Sequence, residues 1–185
     1  MKELTNIRRL TTCAVCIALC VVLPMAFHAI PNAGSIFAPM HIPVLVCGLS
    51  CGPLHGLLCG IFGPLLSSLI TGMPGMGYLP VMMVELAAYG LLTGLFMMLI
   101  RTGRLYADLY ISLIAAMLIG RVIAGAFRAL LWTPGEYAFA AWTSGYFVTA
   151  LPGIAIQLAI VPTIVFALMK ARLIPARYVR AQAAA

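Results

Sequence analysis

The stretch from Leu10 to Ile100 opens LTTCAVCIALCVVLPMAF and closes YLPVMMVELAAYGLLTGLFMMLI, and its 91 residues carry a single charged side chain, Glu85. A helix that crosses the hydrocarbon core needs ~20 apolar residues, with a range of about 17 to 25. The stretch therefore holds four spans, provided some are short and the turns are tight. A second apolar region, Leu105 to Met169, holds two more. Working outward, the whole chain of 185 residues is 64% hydrophobic and 8% charged, with a mean hydropathy of +1.11. Soluble domains carry roughly 25% charged residues, so most of this surface must meet lipid. The tails, 1–9 and 170–185, are too short to fold alone. The expected architecture is all-α: one membrane-embedded domain over 1–185, built as a compact bundle of six transmembrane helices.

The basic residues set the expected orientation. Lys2, Arg8 and Arg9 precede the first span, Arg101 and Arg104 fill the middle gap, and Lys170, Arg172, Arg177 and Arg180 follow the last span. Positively charged segments favour the cytoplasmic side, which requires an even number of spans between successive clusters. Four spans and then two meet that condition and place both termini in the cytoplasm. Turn residues divide the spans into helices at about 10–27, 40–50, 54–70, 78–100, 106–132 and 146–169. Helix 2 reads as short and interrupted at Pro43. Arg8 and Arg9 before an apolar run would also suit a signal peptide, but the run's length and the spans that follow favour a retained helix.

Cys13, Cys16, Cys20, Cys47, Cys51 and Cys59 fall toward the cytoplasmic half of helices 1 to 3, where thiols stay reduced, and read as small packing residues. The eleven Met residues read as packing or lipid-facing groups. No His, Asp or Glu cluster has metal-ligand spacing, so no metal and no cofactor are expected. Gly48, Gly52, Gly56 and Gly60 recur every four residues, and Gly90 and Gly94 repeat the interval. Small residues at that spacing let membrane helices approach closely, which predicts tight packing of helices 2, 3 and 4.

Ionisable groups at membrane depth are costly and mark functional sites by default. At ~1.5 Å per residue, Glu85 lies roughly 10 Å below the outer end of helix 4. On the same scale Arg128 lies roughly 6 Å and Arg121 roughly 17 Å below the outer end of helix 5. His41 enters near the outer end of helix 2, Tyr89 stands one turn below Glu85 and can donate to it, and Gln157 reaches mid-membrane on helix 6. Glu85 either pairs with one arginine or lines a site, and in both cases one guanidinium is left over. That planar donor fork suits a carboxylate or phosphate, and Arg128, the shallower, is the favoured contact for an anionic group. Trp142, with Tyr137, Phe139, Tyr146 and Phe147, forms either an interfacial belt or a stacking surface for a flat ligand. Asn32 and Ser35 of the first outer loop are placed to close over it. No Walker motif, nucleophile elbow or H-E-x-x-H is present, so the chain is not expected to be an enzyme or to hydrolyse ATP.

Four features carry a resemblance. They are the Ala14-x-x-x-Ala18 pair, the segment Ala38-Pro-Met-His-Ile-Pro43, the turn Gly52-Pro-x-x-Gly56-x-x-x-Gly60, and Pro64-Leu-Leu-Ser-Ser. With the size and the six-span topology, they make the chain similar to a substrate-binding S component of an energy-coupling factor (ECF) transporter, the vitamin-import branch of the ABC transporters. The resemblance runs from about Arg8 to Lys170. It implies a prokaryotic plasma-membrane protein that captures a small vitamin or related micronutrient from outside the cell. It also implies docking on a transmembrane T component through Ala14 and Ala18, import driven by two cytoplasmic ATPases, and no nucleic-acid partner. The substrate-binding set expected from depth and charge is Asn32, His41, Glu85, Tyr89, Arg121, Arg128, Trp142 and Gln157. Pantothenate or another carboxylated vitamin suits the surplus arginine, and a neutral heterocycle suits the aromatics. The alternative is an autonomous small secondary transporter or channel, a class that commonly shows inverted repeats; no convincing repeat relates the two halves. A membrane enzyme using Glu85 and His41 as acid and base would be a third reading.

Overall fold

The computed structural model describes residues 6–26, 36–132, 142 and 144–174, and every regular element among them is helical. The helices are α1 (Asn6–Ala26), α2 (His41–Cys51), α3 (Pro53–Thr71), α4 (Leu79–Leu99), α5 (Leu105–Phe127) and α6 (Leu151–Lys170). Five are long and apolar enough to cross a membrane, and α2, at 11 residues, is a shorter apolar helix. Two π-helical turns flank the segment between α5 and α6: Arg128–Trp132 continues α5, and Ser144–Thr149 leads into α6.

Proline and glycine punctuate these elements where backbone chemistry requires it. Pro53, Pro80 and Pro152 open α3, α4 and α6 in the first turn, where an absent N–H costs nothing. Pro43 likewise sits in the first turn of α2, so this helix runs unbroken to Cys51 and is not interrupted there. Gly52, at φ +96°, separates α2 from α3, and Gly72, at φ +73°, caps α3 in the left-handed conformation. The loop after α3 is tied back by its own helix. Ser67 Oγ donates to the Met73 carbonyl and Ser68 Oγ to the Pro74 carbonyl, each at 2.7 Å. At the opposite end of the bundle, buried Asp108 accepts from the Thr102 N–H at 2.8 Å and the Thr102 hydroxyl at 2.7 Å, fixing the turn between α4 and α5.

α4 is the central helix, packed against α2, α3 and α5, while α1 lies on α2 and α3, and α6 on α2 and α5. The glycine repeat explains how α2 and α3 crowd against α4. A Cβ on Gly56 would strike the Gly90 backbone, one on Gly60 the Leu86 backbone, one on Gly94 the backbone of Gly52 and Pro53, and one on Gly48 would meet Thr93 and Gly90. Where the main chains touch there is no room for a side chain, so dispersion and close packing hold the helices together in the absence of a hydrophobic drive. The six cysteines, all free and buried, line the junction of α1 with α2 and α3. Cys13 and Cys47 both reach the His55 carbonyl at 3.5 Å, and Cys20 reaches the Met40 carbonyl at 3.7 Å. With its cysteines turned inward, α1 leaves Ala14 and Ala18 exposed on the outer face.

Candidate functional site

Polar groups converge at the end of the bundle where α2, α4 and α6 begin and α5 finishes. His41 is the first residue of α2, and the turn before it is formed by Ala38, whose carbonyl accepts the His41 N–H at 3.0 Å. Ala38 itself sits at φ +46°, a left-handed conformation that is uncommon outside glycine and concentrates at functional sites. The same carbonyl lies 3.5 Å from Gln157 Nε2, which fixes the turn to α6. Gly153, one turn earlier on α6, makes this approach possible, since a Cβ there would fall 2.7 Å from the Ile36 carbonyl oxygen and 3.0 Å from that of Phe37.

Glu85 is 5% exposed and is held from two sides. The Tyr89 hydroxyl donates to its Oε1 at 3.0 Å, and His41 Nε2 lies 3.5 Å from the same oxygen. The Glu85 partner is thus a histidine from α2 and not an arginine from α5. Tyr89 is fully buried and packs over Gly120, where a Cβ would enter its ring. The His41 and Tyr89 rings lie 5.3 Å apart at 60°.

Arg121 follows Gly120 and is 4% exposed. It is the second charged neighbour of the Tyr89 hydroxyl, after Glu85. Its guanidinium carbon lies 5.7 Å from the centre of the Phe147 ring, within the range of a cation–π contact. Its Nε is buried without a hydrogen-bond partner, and among the described residues no carboxylate comes within ion-pair distance of it. Trp142 completes this wall. Its indole packs on Gly125, its Nε1 donates to the Arg121 carbonyl at 3.3 Å, and its ring meets Phe147 edge-on at 5.2 Å.

The structure therefore brings His41, Glu85, Tyr89, Arg121, Trp142 and Gln157 into one region. Arg128 stands two turns beyond Arg121, partly exposed, with its guanidinium carbon 5.6 Å from the centre of the Tyr78 ring. Asn32, Ser35, Tyr137 and Phe139 lie outside the described residues. Sequence reasoning did not single out Ala38, whose carbonyl joins two helices, nor assign a role to Phe147 against Arg121. The segment Ala38-Pro-Met-His was visible, but nothing local marks an alanine for positive φ. Among the described residues, no group of three His, Cys, Asp or Glu side chains is placed to hold a metal ion.

A small apolar helical bundle with buried polar groups gathered at one end has a counterpart among known families. The family model described as "ECF transporter, substrate-specific component" matches residues 8–165. The chain belongs to this family. It is a substrate-specific transporter subunit and a multi-pass membrane protein. S components as a class work with a T component and ATPases. No curated protein and no solved structure matches the chain.

Proposed function

We propose that this S component captures a small organic micronutrient of the vitamin class from outside the cell, in the pocket bounded by α2, α4, α5 and α6, and hands it to an ATP-driven importer. The observation that carries the reading is Arg121, a guanidinium 4% exposed, with an unpartnered Nε and no carboxylate in reach among the described residues. A buried charge without a counter-ion is costly, and a ligand anion that accepts from the fork removes that cost. Glu85 does not serve: it comes within ion-pair distance of His41 and not of Arg121. Arg128, nearer the loop end and over Tyr78, would give an entering anion its first contact.

Orientation follows from charge. Arg8, Arg9, Arg101, Arg104, Lys170 and Arg172 all lie toward the end of the bundle away from the pocket. Under the positive-inside rule that end faces the cytoplasm of a prokaryotic cell, both termini lie inside, six segments cross or enter the bilayer, and the pocket opens outward. Ala14 and Ala18, exposed one turn apart on α1, offer a flat small-residue face for a helix of the T component. Two cytoplasmic ATPases would then supply the energy that this chain has no motif to harvest.

Two measurements test the reading. Native mass spectrometry of the gently purified chain is expected to show a bound small molecule, lost on Arg121→Ala. Uptake into proteoliposomes is expected only when the T component, the ATPases and ATP are all present. Transport by this chain alone without ATP would replace the reading with that of an autonomous transporter.

A further inference from the structure

The buried groups of the pocket are unsatisfied in a pattern that specifies more than an anion. Among the described residues, the buried polar atoms there without a hydrogen-bond partner include Arg121 Nε, Gln157 Oε1 and His41 Nδ1. Arg121 Nε is a donor and requires an acceptor. Gln157 Oε1 is an acceptor, because Nε2 of the same amide faces the Ala38 carbonyl, and it requires a donor. His41 directs Nε2 at the Glu85 carboxylate, and a ring with its proton on that nitrogen presents a bare Nδ1, a second acceptor. The vacancies thus include one for an acceptor, at Arg121, and one for a donor, at Gln157, with His41 Nδ1 as a second donor site in that tautomer.

Charge points the same way. Glu85 and Arg121 are both buried, both neighbour the Tyr89 hydroxyl, and do not pair with each other. Tyr89 and His41 meet the same oxygen, Oε1, so neither occupies Oε2. A ligand that was only an anion would satisfy Arg121 while meeting repulsion from the Glu85 carboxylate, and it would leave Gln157 Oε1 and His41 Nδ1 desolvated and unbonded. Buried sites reject ligands that leave their polar groups unpaired.

Resting on the reading of this pocket as the capture site, we propose that the ligand is amphoteric. It carries an anionic acceptor group for Arg121 and, on the same small scaffold, a basic nitrogen with N–H donors for the side of the pocket formed by Glu85, Gln157 and His41. Trp142 and Phe147, which already pack against Arg121, leave the anionic end against an aromatic wall.

The test uses the full chain in lipid nanodiscs and three probes prepared from a water-soluble yeast extract. The anionic fraction is retained only by an anion exchanger, the cationic fraction only by a cation exchanger, and the amphoteric fraction by a cation exchanger at low pH and an anion exchanger at high pH. A saturating ligand raises the melting temperature, and the expected result is a rise of about 4 °C or more with the amphoteric fraction alone. Glu85→Gln and Arg121→Gln are each expected to raise the concentration of that fraction needed for a half-maximal shift at least tenfold. An equal or larger shift from the strictly anionic fraction would overturn the amphoteric assignment and leave the capture site standing. No shift from any fraction would overturn both. Where Glu85→Gln fails to run as a monodisperse species on gel filtration, the three fractions on the wild-type chain decide the matter.

Discussion

Tyr89 links two opposite buried charges, Glu85 and Arg121. Its hydroxyl donates to Glu85 at 3.0 Å, its ring rests on Gly120 beside Arg121, and it is wholly buried. Replacing it with Phe removes a hydrogen bond to a charged group, an interaction worth about 1.5–3 kcal/mol. Tyr89→Phe is therefore expected to weaken ligand binding about tenfold or more while the protein keeps its gel-filtration profile, as read by titration of the purified chain. Arg128→Ala is expected to lower affinity less than Arg121→Ala, because Arg128 is partly exposed and its guanidinium lies by the Tyr78 ring; equal losses would place the anion nearer the mouth. At this scale the sequence is informative about depth and uninformative about rotation. Counting residues along α4 and α5 suffices to mark Glu85 and Arg121 as charges within apolar helices, and both are buried. That Glu85 turns to His41, 44 residues away, follows from how α2 meets α4, which no local pattern records.

At the scale of elements, the glycine interval was the most legible feature. Four-residue spacing in α2 and α3 and again in α4 corresponds to contacts of Gly48 and Gly56 with Gly90, of Gly60 with Leu86, and of Gly94 with Pro53. Overpacking such a contact costs about 1–3 kcal/mol, occasionally more. Gly56→Val is expected to lower the melting temperature of the purified chain by several degrees, whereas Gly75→Ala, facing open space, is expected to leave it within the error of the measurement. Similar melting temperatures for the two variants would contradict the packing described here. The π-helical turns at Arg128–Trp132 and Ser144–Thr149 had no such signature. Wide turns of this kind concentrate near functional sites.

For the molecule as a whole, composition fixes the solvent and the family match fixes the role: a multi-pass membrane subunit specific for a substrate. On the proposed reading, two surfaces divide the work. The buried polar cluster lies among α2, α4, α5 and α6, while α1 packs on α2 and α3 with Ala14 and Ala18 exposed. Because the two surfaces share no residue, Ala14→Trp combined with Ala18→Trp is expected to abolish uptake by the assembled transporter and to leave ligand affinity of the isolated subunit within about twofold, since distant sites act independently. Loss of binding in that variant would mean that α1 supports the pocket itself. On the proposed reading, the buried Arg121 guanidinium, whose Nε has no hydrogen-bond partner among the described residues, holds the captured molecule. Native mass spectrometry of the wild-type chain and of Arg121→Ala, purified in parallel from the same culture medium, is the decisive measurement. A small-molecule mass is expected on the wild type and none on the variant; equal occupancy of the same mass on a well-folded Arg121→Ala protein would overturn the assignment.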